Sequence, residues 1–302
     1  MQNPLVTVIV VSYNHSKYIV ENLNSIKNQT YKNIQLILVD DASTDDSVEV
    51  YNDWVEQNNY SVTKVFNSNN IGLASSLNNC FKLIEGKYVK IIAADDYLHP
   101  ESIEKCASEL ERLGDEYGMV FTESCWVDDD SHTIEEKNKA KQAKKYSPKE
   151  IKKTLFHNNF IMALTVLMST EALIKTGFYN PDIIIEDYDR WLRINEKYLT
   201  AHLPIKLAYY RLHSTNITRI KKIQIEEEDL LLKLKYDKYG KGKKILNRII
   251  IKKYLNQQIT KRMVEIITNY PYTNHTIKAL IVNEIKPNLF IKMVLKTAIL
   301  FK

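Results

Sequence analysis

Tyr88-Val89-Lys90-Ile91-Ile92-Ala93-Ala94-Asp95-Asp96 is the stretch on which the fold turns, an apolar run that ends in two adjacent carboxylates. Residues 88–93 read as a buried strand, and both acids leave it at its carboxyl end. Like charges side by side repel unless a cation or donor groups lie between them. A divalent metal that prefers hard oxygen ligands, Mg2+ or Mn2+, would relieve the repulsion and hold a diphosphate as well. The competing reading is an acidic helix start, because Pro100 heads a helix carrying Ile103, Ala107, Leu110 and Leu113.

The same pattern recurs upstream. Residues 5–12 form a β-branched run that stops at Tyr13-Asn14-His15-Ser16, and a helix through Ile19, Leu23 and Ile26 follows, with Ser16 as candidate N-cap. Residues 34–39 form a second strand that ends at Asp40-Asp41; Ser43 and Asp46 then resemble a capping box before Val48, Tyr51 and Val55. Residues 62–66 lead through Asn70 and Gly72 to a helical stretch at 73–84. Strands alternating with helices predict an α/β fold with a mainly parallel sheet covered on both faces. In such sheets ligands bind at the carboxyl ends of the strands, where Tyr13, Asp40, Asp41, Asn70, Asp95 and Asp96 all fall.

Downstream, Met119-Val120-Phe121 reads as a strand, and residues 128–150 as a solvated loop. Helical periodicity is expected over 151–175, around the apolar stretch from Phe160 to Met168, with a turn at Gly177-Phe178-Tyr179-Asn180-Pro181. Residues 186–198 form a helix with an acidic first turn, and beyond Arg219 the composition shifts to Lys, Ile and Leu. The preferred division is therefore 1–220, with halves 1–105 and 106–220, and a basic helical region 221–302.

The 302 residues are 44% hydrophobic and 26% charged, a profile that excludes disorder and supports a large core. Cys80, Cys106 and Cys125 lack metal-ligand or redox spacing and suit a reducing compartment. The amino terminus shows no signal-peptide pattern, so the expected location is cytoplasmic. Residues 221–302 hold 18 Lys or Arg against 7 Asp or Glu, a local charge of +11.

The acidic segments allow two readings each. Asp40 and Asp41 can accept from a ribose or a base N–H, or merely cap the next helix. Glu186-Asp187-Tyr188-Asp189 suits a helix N-terminus, and equally a general base whose pKa a cleft has raised. Arg211 and His213 share one side of an extended segment, which suits phosphate or a metal, although a lone His is more often structural.

Taken in order, these segments resemble family 2 glycosyltransferases of the GT-A fold, inverting enzymes that use nucleotide-diphosphate sugars. The resemblance covers roughly residues 4–219. Its motifs are Val8-Ile9-Val10-Val11-Ser12-Tyr13-Asn14, Ser25-Ile26-Lys27-Asn28-Gln29-Thr30-Tyr31, Val39-Asp40-Asp41-Ala42-Ser43-Thr44-Asp45, and Asn70-Ile71-Gly72 with Asn78. They continue through Gly86-Lys87-Tyr88 to Ala94-Asp95-Asp96, then Gly177-Phe178, Glu186-Asp187-Tyr188-Asp189 and Arg211-Leu212-His213.

The resemblance implies a Rossmann-like sheet flanked by helices, with a C-terminal helical extension. It places Tyr13 against a nucleobase, most often uracil, with Asp41 accepting from the base, Asp40 nearby, Asn70 and Asp95 in the nucleotide site, and Asp96 on Mn2+ or Mg2+. Asp187 becomes the base that deprotonates the acceptor hydroxyl, while Arg211 and His213 assist the leaving group, His213 as a further metal ligand. The implied partners are a UDP-sugar and a saccharide acceptor, with no nucleic acid, in bacterial-type surface polysaccharide synthesis. Two positions depart from the family: Ala93 stands where another Asp is common, and Leu77 where Arg often precedes the third-loop Asn.

A sugar nucleotidyltransferase would need a Gly-rich basic loop after Val11, which is absent; a degenerate binding or scaffold protein would not need Asp187. Residues 289–302 are too short to span a bilayer, and Lys292 and Lys296 share a helical face. They suit an anionic membrane surface, which would make the protein peripheral on the cytoplasmic face and its acceptor lipid-linked, or packing against the catalytic domain or another subunit of a homo-oligomer.

Overall fold

The computed structural model describes residues 3–134 and 145–300. Its first unit, ending at Asn216, runs β1 (Val6–Ser12), α1 (Ile19–Lys27), β2 (Ile34–Asp40), α2 (Ser47–Asn58), β3 (Thr63–Phe66), α3 (Leu73–Cys80), β4 (Tyr88–Ala93) and β5 (Tyr97–Leu98). Then follow α4 (Ser102–Leu113), β6 (Tyr117–Val127), α5 (Pro148–His157), β7 (Val166–Ser169), α6 (Thr170–Lys175), α7 (Glu186–Lys197) and β8 (Leu199–Arg211).

Among the described residues the eight strands form one sheet in the order β3-β2-β1-β4-β7-β6-β8-β5. Every residue of β1 is buried, as a β-branched strand with parallel neighbours on both sides must be. Helix α1 turns Ile19, Leu23 and Ile26 inward, and α4 turns Ile103, Cys106, Ala107 and Leu110, each at helical spacing. These join Val8, Val10, Leu36, Leu38 and Ile92 in one core.

Parallel pairing holds for β1 with β2 and β4, β2 with β3, and β6 with β8. The sheet turns antiparallel where β7 meets β4 and β6, and where β5 meets β8. Strand β7 lies in the apolar stretch read as helical; a short fully buried run has no periodicity to distinguish the two. Two caps are also corrected. Helix α1 begins at Ile19 after Tyr18, and Ser16 gives its N–H to Asp45 at 3.1 Å. Helix α2 begins at Ser47, and Ser43 turns its hydroxyl to Asp40 at 2.6 Å. Of the loop expected at 128–150, residues 135–144 lie outside the described residues, and a true capping box of Ser147 and Glu150 opens α5.

The second unit, Ile217–Lys302, is helical: α8 (Ile217–Ile220), α9 (Lys222–Tyr236), α10 (Lys243–Leu255), α11 (Lys261–Asn269), α12 (His275–Val282) and α13 (Leu289–Leu300). Leu230, Leu232, Leu246, Ile250, Met263, Ile267 and Ile277 fill its interior. Asp237 ties the turn between α9 and α10 to the end of α11 by accepting from the Gly242 N–H at 2.9 Å and from the Tyr270 hydroxyl.

Candidate active site

The loops after β1, β2, β3 and β4 are laced together at the carboxyl edge of the parallel strands. Asn14 gives its N–H to Ser43 Oγ at 2.8 Å and accepts from the Thr44 N–H at 2.8 Å, while His15 gives its N–H to Ser47 Oγ at 3.0 Å. This lacing holds Asn14 at φ +59° and Ala42 at φ +60°, a left-handed backbone that strains the alanine. It leaves the Tyr13 side chain 45% exposed at the mouth.

The two neighbouring acids at the end of β2, Asp40 and Asp41, face different ways. Asp40 is buried and accepts from Ser12 Oγ at 2.6 Å, the Ser43 N–H at 2.8 Å and Ser43 Oγ, so its carboxylate fastens β1 to the following loop. Asp41 Oδ1 accepts from the Ile71 N–H and Asn67 Nδ2, both at 2.9 Å, and from Ser76 Oγ at 3.1 Å. Its Oδ2 accepts from the Gly72 N–H at 2.8 Å, which Gly72 can aim because it sits at φ +85°. Asn70 is exposed in the same loop.

Asp95 and Asp96 are both buried where they leave β4, with two histidines beside Asp95. His213 Nε2 lies 2.9 Å from Asp95 Oδ2 and His15 Nε2 3.7 Å from it. Burial acts to raise the Asp95 pKa, but the His213 hydrogen bond and the charges of both histidines outweigh it and hold the group below its ordinary value. Asp96 goes the other way: burial, then the charge of Asp95, push it well above the usual carboxylate range, and the Arg211 N–H at 2.9 Å only partly offsets them. Burial likewise lowers His15 despite Asp95.

Arg211 is buried, and all three of its guanidinium nitrogens donate within the protein. Nε reaches the Asp95 carbonyl at 2.8 Å, and Nη1 reaches Ser131 Oγ at 2.9 Å and the Asp128 and Asp129 carbonyls at 3.1 and 3.2 Å. Nη2 pairs with Glu21, and the guanidinium carbon lies 4.9 Å from the Tyr18 ring centroid. Arg211 thus ties the end of β4, helix α1 and the 128–131 loop together.

Asp187 lies in the first turn of α7. Burial pushes it up to about 6, against the pull of the Tyr188 N–H, 2.6 Å from Oδ1, and of the Asn159 side chain. The helix is fixed by Tyr188 O–H donating to the Leu155 carbonyl at 2.7 Å and by Arg190, whose Nη1 donates to the Gly177 carbonyl at 2.6 Å.

A sequence profile of the family described as "Glycosyl transferase family 2" matches residues 7–177, more than half of the chain. The chain belongs to glycosyl transferase family 2. Among its relatives is the Escherichia coli UDP-Glc:alpha-D-GlcNAc-diphosphoundecaprenol beta-1,3-glucosyltransferase WfaP, 28% identical over 235 residues, or 76% of this chain and 86% of the relative. Two solved structures share the fold. S. aureus TarS in complex with UDP-GlcNAc superposes with a TM-score of 0.68 at 16% identity, over 91% of this chain and 83% of that one. The mannosyltransferase PcManGT of Pyrobaculum calidifontis, in complex with GDP-Man and Mn2+, gives 0.59 at 21% identity, over 99% and 80%. This glycosyltransferase therefore has a GT-A fold with a mixed sheet between helices.

Does the acidic pair of this glycosyltransferase suit a divalent cation? Among the described residues no group of three or more His, Cys, Asp or Glu side chains is arranged to hold one. What is present is a carboxylate pair under mutual repulsion, with Asp95 Oδ1 buried and without a partner. One or two carboxylates with substrate phosphates completing the shell is a normal Mg2+ arrangement, so the donor set fits. The fit rests on Asp96 and Asp95. His213 has Nδ1 on Thr215 Oγ1 at 2.8 Å and Nε2 between Asp95 and the Asn216 amide at 3.1 Å. Ala93 is exposed at the end of β4 and offers no ligand, and Leu77 is buried in the core.

Several residues that build this site carried no sequence signal. Glu21 and Tyr18 look like ordinary helix residues until Arg211, 190 positions after Glu21, folds onto them. Asn22 gives its amide to the Asp96 carbonyl at 2.8 Å from a buried helix position where apolar periodicity predicts nothing polar.

Proposed function

We propose that this glycosyltransferase is inverting and metal-dependent, and moves a sugar from a UDP-sugar to a hydroxyl of a lipid-linked saccharide acceptor in cell-surface polysaccharide synthesis. The observation that carries the reading is Asp187, a half-buried carboxylate in the first turn of α7 that desolvation raises to about 6. Such a group is ionised at neutral pH and still basic enough to take a proton from an alcohol in the transition state.

Tyr13 lies against the nucleobase, and Asp41 accepts from its N–H through Oδ2, the oxygen that the Gly72 N–H also meets. Asn70 and Asp95 contact the donor, with His213 holding the Asp95 carboxylate in place. Asp96 and Asp95 would hold Mn2+ or Mg2+, which would neutralise the charge that grows on the departing diphosphate. Asp187 removes the acceptor hydroxyl proton as that oxygen bonds to the anomeric carbon; the bond to UDP breaks on the opposite face and the configuration inverts. A UDP donor is supported by the names of the WfaP and TarS relatives, and a diphosphoundecaprenol-linked acceptor by that of WfaP.

A screen of UDP-sugars beside GDP-mannose, each with Mn2+, tests the donor through thermal stabilisation and slow donor hydrolysis. A UDP-sugar should raise the melting temperature and be hydrolysed. Stabilisation by GDP-mannose alone overturns the uridine assignment, and no response to any donor overturns the reading as a whole.

A further inference from the structure

The last two helices of the second unit carry an outward apolar row that the transfer chemistry does not use. Val282, Ile285, Leu289, Phe290, Met293 and Val294 are all exposed, with Leu289 at 77%, Phe290 at 74% and Met293 at 63%. Side chains this large left in water forgo the burial that Leu and Phe gain inside a core. The opposite face of α13 is satisfied: Leu295 is buried and the helix packs on α10. The row is therefore a second face of a docked helix, not a detached tail.

Its surroundings are cationic. Lys286 and Lys292 neighbour the row along the chain with Glu284 the acid beside them, and residues 217–302 together hold 19 Lys or Arg against 7 Asp or Glu. Among the described residues no helix is long and apolar enough to cross a membrane. An apolar strip a few residues wide, rimmed by lysines on a strongly basic unit, matches the interface of an anionic bilayer, where the apolar groups enter the acyl boundary and the lysines meet the headgroups. A protein partner would have to supply both an apolar groove and a matching acidic rim.

We infer that the second unit docks on anionic lipid surfaces through Leu289, Phe290 and Met293, with Lys286 and Lys292 at the headgroups. The inference is independent of the donor and the acceptor, because it rests on the second unit alone.

Cosedimentation of the full chain with vesicles of phosphatidylcholine alone, or of phosphatidylcholine and phosphatidylglycerol in equal parts, tests it. The wild type should partition at least tenfold more strongly onto the anionic vesicles, and less so as salt screens the lysines. Phe290→Glu with Met293→Glu should lower that partition at least tenfold with an unchanged circular dichroism spectrum, since both side chains are exposed. Lys286→Gln with Lys292→Gln should narrow the difference between the two vesicle types. A wild type that stays in the supernatant, or a double-Glu variant that binds as well as wild type, overturns the inference. So does a wild-type dimer that the double-Glu change turns into a monomer while vesicle binding is absent, because the row would then belong to a second copy.

Discussion

The Arg211 N–H donates to Asp96 Oδ1 at 2.9 Å while the Arg211 Nε donates to the Asp95 carbonyl at 2.8 Å, so the end of β8 holds the carboxylate pair at the end of β4. The remaining guanidinium bonds fasten Glu21 of α1 and the 128–131 loop to the same point. The residue is therefore part of the frame on which the acids are aimed.

Arg211→Ala should consequently lower the unfolding free energy by about 2–4 kcal/mol, because it strands the buried Asp95 carbonyl and removes the part-buried bonds to Glu21 and the 128–131 loop. Urea unfolding followed by tryptophan fluorescence measures it. A residue whose only work was to touch phosphate would leave the urea midpoint where it was.

Asp96→Asn should move binding and stability in opposite directions. Removing a buried charge that Asp95 repels should leave the metal-free protein as stable as wild type or more so. The same change should weaken Mn2+-dependent UDP binding at least tenfold by calorimetry. Loss of stability together with unaltered Mn2+ dependence would place the metal elsewhere.

Lys90 is fully buried on β4 with its ammonium unpaired, and burial pushes it down from 10.5 to about 8. Below pH 8 the folded and unfolded chains both hold the proton, and the whole cost of about 3 kcal/mol is present. Between pH 8 and 10.5 the unfolded chain holds more protons, so stability rises with pH as the cost fades. Lys90→Met should stabilise by up to about 3 kcal/mol at pH 7 and by little at pH 10. A gain independent of pH would mean that repacking, not charge, is responsible.

Ala42 sits at φ +60° in the loop after β2, where an L side chain is strained and glycine is not. Ala42→Gly should raise stability by about 0.5–1 kcal/mol and leave UDP affinity unchanged. Chemical denaturation beside a UDP titration checks both halves.

How legible this molecule is in its sequence depends on the range of the forces involved. The parallel half, β1 to β4, announces itself through β-branched runs ending in polar clusters, because burial on both faces leaves few alternatives. Strand β7 and most of β8 do not: Val166–Ser169 is apolar without a period, and β8 mixes Lys206, Pro204 and His202 into its 13 residues. The site divides along the same line. Asp41, Asp95, Asp96 and Asp187 stand out as acids at element ends, but whether an acid faces a ligand or a neighbouring serine, as Asp40 does, depends on loops brought together only by folding. Arg211 shows the limit most clearly, since its partners lie 80 to 190 residues away.

The central claim is that Asp187 is the base of an inverting transfer, and the pH profile of transfer from a UDP-sugar, with and without Asp187→Asn, tests it most directly. With its pKa raised to about 6, the wild-type kcat/KM should climb with pH through about 6 and level off above, since only the ionised carboxylate accepts the proton. Asp187→Asn should lower kcat by about a thousandfold or more, abolish that rise and leave the UDP dissociation constant within about twofold. Turnover by Asp187→Asn at the wild-type rate, or a product of retained anomeric configuration, would contradict the account.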